Sequence, residues 1–138
     1  MDKIVEVIHA LPRMLSLKAA TTEQITEAEN QLQLVFSEEY KEYLSAFGAI
    51  LADGVELSGI AKSAHRNVVA LTKQSWELNP KVPHDMYVVE NTGMDGVLLW
   101  QDASGKVYRS TPNAEPQKVA SSLKDYLQAR FGSVPNSV

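Results

Sequence analysis

The side chains able to do chemistry are scattered along this chain rather than grouped. Its three histidines, His9, His65 and His84, lie far apart, and none has a ligand-type residue three or four positions on. A metal site on one helix face needs that spacing, and with no cysteine in the chain a site would have to be assembled from distant loops. The lack of cysteine also removes a thiol nucleophile and any disulfide. No Gly-x-Ser-x-Gly elbow is present; Ser58 and Ser104, each followed by glycine, sit at a strand end and in a turn. The glycines form neither a dinucleotide fingerprint nor a phosphate loop. Carboxylate pairs are plentiful, but on amphipathic helices such pairs are usually solvated, and the separation and pKa tuning of a hydrolase are not legible in them. His65-Arg66 is either an anion contact in a loop or a solvated dipeptide. The expectation is a protein without catalytic residues, metal or cofactor.

Charge is the more informative pattern. The chain carries a net −4, which argues against a nucleic-acid footprint. Between Glu23 and Glu42 stand six glutamates (Glu23, Glu27, Glu29, Glu38, Glu39 and Glu42) against Lys41 alone. The segment is either an ordinary solvated face or an acidic surface that steers a basic partner onto the protein. On the second reading the contact residues are Glu27, Glu38, Glu39 and Glu42, with the loop carboxylates Asp53, Asp95 and Asp102. Trp76 and Trp100 fit core positions, although a half-exposed tryptophan could anchor an interface.

The elements that must position these residues follow from periodicity and caps. Ile4, Ile8, Leu11 and Leu15 read as one helical stripe interrupted at Pro12. Thr21 and Gln24 have capping-box form and open a second helix with the apolar face Ile25, Ala28, Leu32 and Val35. Ser37 caps a third, with Tyr40, Tyr43, Leu44 and Phe47 on one face and Gly48 at its stop. The short link between the last two predicts a helical hairpin with its glutamates mostly outward. From residue 55 the period changes to alternation through Ile60. Asn67 caps a helix bearing Val68, Val69, Thr72 and Trp76. Strands over residues 86–90, 97–101 and 106–110, joined by glycine-bearing connections, predict an antiparallel meander. Ser122 with Asp125 starts a last helix with the stripe Leu123, Tyr126, Leu127 and Phe131, and residues 132–138 read as a frayed tail. Helices and sheet segregate along the chain, so the expected class is α+β. An antiparallel sheet of about four strands packs with an N-terminal helical hairpin and flanking helices in a single domain over residues 1–138.

With 138 residues, 44% of them apolar, the chain can fill one core. The start of the sequence contains Asp2, Glu6, His9 and Pro12, unlike a signal peptide, and no window has the roughly 18 apolar residues of a membrane span. Cytoplasmic placement is the simplest expectation.

Several segments, read in order, resemble the SUKH superfamily, named partly for the yeast Smi/Knr cell-wall regulators. The run from Thr21 to Glu29, with Ile25 and Glu29 four apart and Leu32 after them, is similar to that family's helix opening. Ser37-Glu38-Glu39-Tyr40-Lys41-Glu42-Tyr43-Leu44 resembles its second signature, an acidic start leading to tyrosine-lysine and an aromatic-leucine pair. Phe47-Gly48, the stretch from Glu56 to Ile60, Asn67-Val68-Val69, Pro83 and the stretch from Gly105 to Tyr108 continue the match. Three positions depart from the pattern. Gln33 stands where the family often has glycine, Phe36-Ser37 where it often has leucine-proline, and Gly48-Ala49 where asparagine-glycine commonly ends the third helix. The resemblance implies a binding domain without catalytic residues: an immunity protein that neutralises a cognate bacterial toxin, often a nuclease, encoded alongside it. The alternative it implies is a regulatory or scaffolding module with a protein partner and no toxin. Neither role involves nucleic acid or membrane directly.

Overall fold

A computed structural model describes residues 3–131, so the tail expected to fray over 132–138 lies outside the described residues. In chain order the elements are α1 (Lys3–His9), β1 (Leu15–Ser16), α2 (Thr22–Leu32), α3 (Glu38–Phe47), β2 (Ile50–Ala52) and β3 (Val55–Leu57). A 3-10 turn (Ala64–Arg66) leads into α4 (Val68–Leu78), followed by β4 (Met86–Asn91), β5 (Leu98–Asp102), β6 (Val107–Ser110), β7 (Gln117–Ala120) and α5 (Leu123–Phe131). The strands form one antiparallel sheet in sequence order, with β1 and β7 at its edges. The fold is α+β, with seven strands where about four were expected.

The caps form as their chemistry dictates. Thr21 Oγ1 accepts from the Gln24 amide at 3.1 Å while Gln24 Oε1 accepts from the Thr21 amide at 2.9 Å, a complete capping box. Ser37 Oγ accepts from the Tyr40 amide, and Asn67 Oδ1 from the amides of Val69 and Ala70. Gly48 ends α3 at φ 73°, and a Cβ there would overlap the carbonyl oxygen of Lys18. Gly59, whose backbone bridges to Asn67, is equally constrained, because a Cβ would overlap the carbonyl oxygen of Gly48. Glu29 of the first signature has a structural use: its Oε2 accepts from the Phe36 amide at 2.9 Å and closes the turn between α2 and α3.

Two residues leave the helical stripes expected for them. Leu15 lies in β1 and is largely exposed, because Pro12 stops the first helix and Arg13 reverses the chain at φ 56°. Val35 is also exposed, since α2 has already ended at Gln33. The three strands missing from the expectation share a cause: β1, β2 and β7 are two to four residues long, and β1 and β7 lack a buried face. The second and third helices touch, but α2 lies more against α4, and α1 packs on α3 and α5.

The main core joins Ile4 and Ile8 of α1, Ile25, Ala28 and Leu32 of α2, the aromatic face of α3, and Leu123 and Leu127 of α5 to one face of the sheet. Full burial of such side chains contributes roughly 2 kcal/mol each. Phe36, Tyr40 and Tyr87 meet with ring centroids 4.7–5.0 Å apart. Strand β4 is covered on both sides, Tyr87 and Val89 facing the main core and Met86 and Val88 a second cluster with Leu71, Val82 and Trp100. Trp100 is fully buried as expected, its Nε1 donating to Ser110 Oγ at 2.8 Å. Trp76 is half-buried, its ring stacked on His84 at 4.1 Å.

Gln33 takes the left-handed conformation (φ 56°, ψ 46°) at the C-cap of α2, where the resemblance leads to an expectation of glycine. A side chain in that region costs about 1 kcal/mol relative to glycine. Gln33→Gly is therefore expected to stabilise the protein by about 0.5–1 kcal/mol, read as a higher urea midpoint. An unchanged or lower midpoint would contradict the strain.

Candidate partner-binding surface

The seven carboxylates singled out by sequence do not converge on one patch. Glu27 is exposed on α2, its carboxylate accepting from Gln31 Nε2 at 2.9 Å. Glu38 and Glu42, four residues apart on α3, both face solvent; Glu38 pairs with Lys41 at 3.1 Å, a surface contact of small energetic weight. Asp53 and Asp95 sit at the tips of the β2–β3 and β4–β5 connections, both exposed and both at positive φ, 33° and 54°. In an antiparallel meander these two connections lie at one end of the sheet, and the β5–β6 turn carrying Asp102 at the other.

Glu39 and Asp102 are turned to backbone amides. Glu39 reaches across to α5: its Oε1 accepts from the Leu123 amide at 2.7 Å and its Oε2 from the Lys124 amide at 2.9 Å. It thus supplies the N-terminal acceptor of α5 from another helix, where unpaired N–H groups and the helix dipole favour an anion. Gln101 Nε2 also donates to Oε1, at 2.8 Å. Asp102 ties the β5–β6 turn: Oδ1 accepts from the amides of Ser104 and Lys106 and from Ser104 Oγ, and Oδ2 from Tyr108. Partial burial pushes the Asp102 carboxyl up, but these hydrogen bonds outweigh it and hold its pKa below the usual carboxylate value. The exposed members of the set are therefore Glu27, Glu38, Glu42, Asp53 and Asp95. Sequence spacing places a side chain on a helix face, but not the distant backbone it reaches, so Glu38 and Glu39 look alike until α5 is in place.

Among the described residues no group of three or more His, Asp or Glu could hold a metal ion, and no helix is long and apolar enough to cross a membrane. Tyr40, Tyr43 and Tyr87, whose burial raises their pKa values, are neutral hydroxyls bonded within the core.

Glu39→Ala is expected to destabilise the protein by about 1–3 kcal/mol and to accelerate amide exchange in α5, whereas Glu38→Ala changes stability by less than about 0.5 kcal/mol. Equal effects of the two would refute the division of roles. For Asp102 the folded pKa lies below the unfolded one, so its stabilisation is present above about pH 4 and is lost as pH falls through the folded value. Urea titrations should show Asp102→Asn less stable than the parent at pH 7, with the gap closing in acid. A gap independent of pH would count against this linkage.

No curated protein matches the chain. It is similar in fold to a protein from Pseudomonas syringae pv. tomato, whose crystal structure aligns with a TM-score of 0.76 over 95% of this chain and 98% of that one, at 15% identity. The family model described as "SMI1-KNR4 cell-wall", a SUKH model, matches residues 1–132. With that match spanning the helices, the sheet and the signatures around Glu29 and Tyr40, the chain belongs to this SUKH family.

Proposed function

We propose that the protein is a cytoplasmic, non-catalytic immunity protein that binds a cognate toxin domain and blocks it stoichiometrically. Family membership supports a protein-binding role. The observation that supports the finer reading is the exposure of Glu27 on α2 and of Glu38 and Glu42 on α3, while Glu29 and Glu39 are turned to backbone amides. A cationic active site, such as that of a nuclease, is the natural complement of such exposed carboxylates. The description of the matched family favours a second reading, a cell-wall-related regulator with a protein partner and no toxin.

The test starts from the gene neighbourhood, where this reading expects a toxin-like domain to be encoded. Coexpression should protect cells, and the two proteins should copurify. Charge reversal at Glu27, Glu38 and Glu42 together should slow association at least about tenfold at low salt, while reversal at Asp53 and Asp95, at one end of the sheet, changes it little. No complex and no protection would remove the immunity reading. A complex insensitive to salt and to the reversals, formed with a partner that is no toxin, would favour the regulator.

A further inference from the structure

A second surface has the opposite character. A groove of about 620 Å³ runs between the segment leading into α2 and the segment following β3, with Leu17, Lys18, Ile60, Lys62 and Arg66 among its walls. Its lining carries three cations and no carboxylate, in a chain of net charge −4. The carboxylate beside it, Glu56, is engaged: Arg66 Nε lies 3.0 Å from Glu56 Oε2 and His65 Nε2 3.9 Å from it. Lys18 and Lys62 are exposed, and no ion pair among the described residues engages either.

An apolar strip leads into this groove. Leu15 and Leu51 are cross-strand partners and share a face of the sheet, and Leu17 follows β1 directly, its amide donating to the Ala49 carbonyl at 2.9 Å. They are 66%, 39% and 37% exposed, large values for leucine. They border β1, an edge strand that pairs with β2 alone. The far wall is preformed. Ile60 donates its amide to the Gly48 carbonyl at 3.0 Å, Asn67 Nδ2 holds the Ala61 carbonyl at 2.8 Å, and Gly59 packs too closely on Gly48 to admit a side chain.

We infer that this groove and the leucine strip form a docking site for an extended acidic-apolar peptide segment of a partner protein, lying in the groove between Leu17–Lys18 and Ile60–Lys62. Its apolar side chains would rest on Leu15, Leu17 and Ile60 and its carboxylates would face Lys18 and Lys62. Three cations set beside apolar walls, with no carboxylate among them, complement a segment that alternates carboxylates with apolar side chains. The volume is in the range of sites that enclose a few side chains. The site does not depend on the exposed glutamates of α2 and α3 and would stand if the toxin reading fell.

The probe is a capped alternating Glu-Val peptide titrated into the isotope-labelled full chain, followed by amide shifts, with a Lys-Val peptide as control. The expected result is a response confined to residues 15–19 and 60–66 for the acidic peptide, none for the basic one, and an affinity at least about tenfold lower in Lys18→Glu/Lys62→Glu. Both lysines are exposed, so that variant is expected to keep the parent's urea midpoint. No response, a response spread equally over Lys106 and Lys118, or undiminished affinity in the double variant would overturn the site. So would concentration-dependent self-association abolished by the same variant, which would make the occupant a second copy of this chain.

Discussion

The side chain of Gln101 holds the architecture at its most demanding point. It is fully buried, and a buried amide is stable only when its donors and acceptor are met. Its Oε1 accepts from Ser37 Oγ at 3.1 Å and Tyr87 OH at 2.8 Å, and its Nε2 donates to Glu39 and to the Gly105 carbonyl at 2.8 and 2.9 Å. One residue of β5 thus joins the start of α3, the adjacent strand β4, the β5–β6 turn and, through Glu39, the start of α5. Tyr87 OH also receives the Ser37 amide at 3.0 Å, so the cap of α3 and the tyrosine of β4 are oriented together. A network with every member satisfied gives the core a single arrangement that apolar packing alone would specify less sharply.

The last helix shows how much rests on such contacts. Of its stripe, Leu123 and Leu127 are buried, which is a narrow apolar seam for a helix of nine residues. Polar contacts hold it at both ends. Glu39 receives its first amides, and Glu90, which is 1% exposed in β4, receives Tyr126 OH at 2.6 Å and Arg130 at 3.0 Å near its C-terminus. Burial and then the hydrogen bond to Glu90 raise the Tyr126 pKa; burial lowers that of Arg130, but the Glu90 charge more than offsets it and keeps the guanidinium protonated. A buried carboxylate in a central strand would be costly without these two partners, so sheet and helix require each other.

Residues of the family signatures are largely occupied in this work. Glu29 closes the α2–α3 turn, Glu39 caps α5, and the Tyr40 and Tyr43 hydroxyls meet at Ser58. The surface proposed for recognition, exposed glutamates on α2 and α3 and the basic groove, lies outside the core, where departures in sequence cost little. The fold can therefore be shared with the Pseudomonas protein at 15% identity.

Much of the local structure was legible in the sequence by itself because its causes are local. The Thr21–Gln24 box, the Ser37 and Asn67 caps, the Gly48 stop and the central strands each follow from side chains within a few residues of the backbone they act on. Tertiary structure decided what depends on residues distant in sequence: the short strands β1, β2 and β7, which exist because a neighbour pairs with them, and the exposure of Leu15 at a sheet edge. It also separated acids that one helix presents side by side. Glu38 stays exposed beside Lys41 while Glu39 meets the amides of Leu123 and Lys124, more than eighty residues on. A charge in a sequence shows that it must be solvated or paired; only the fold shows which.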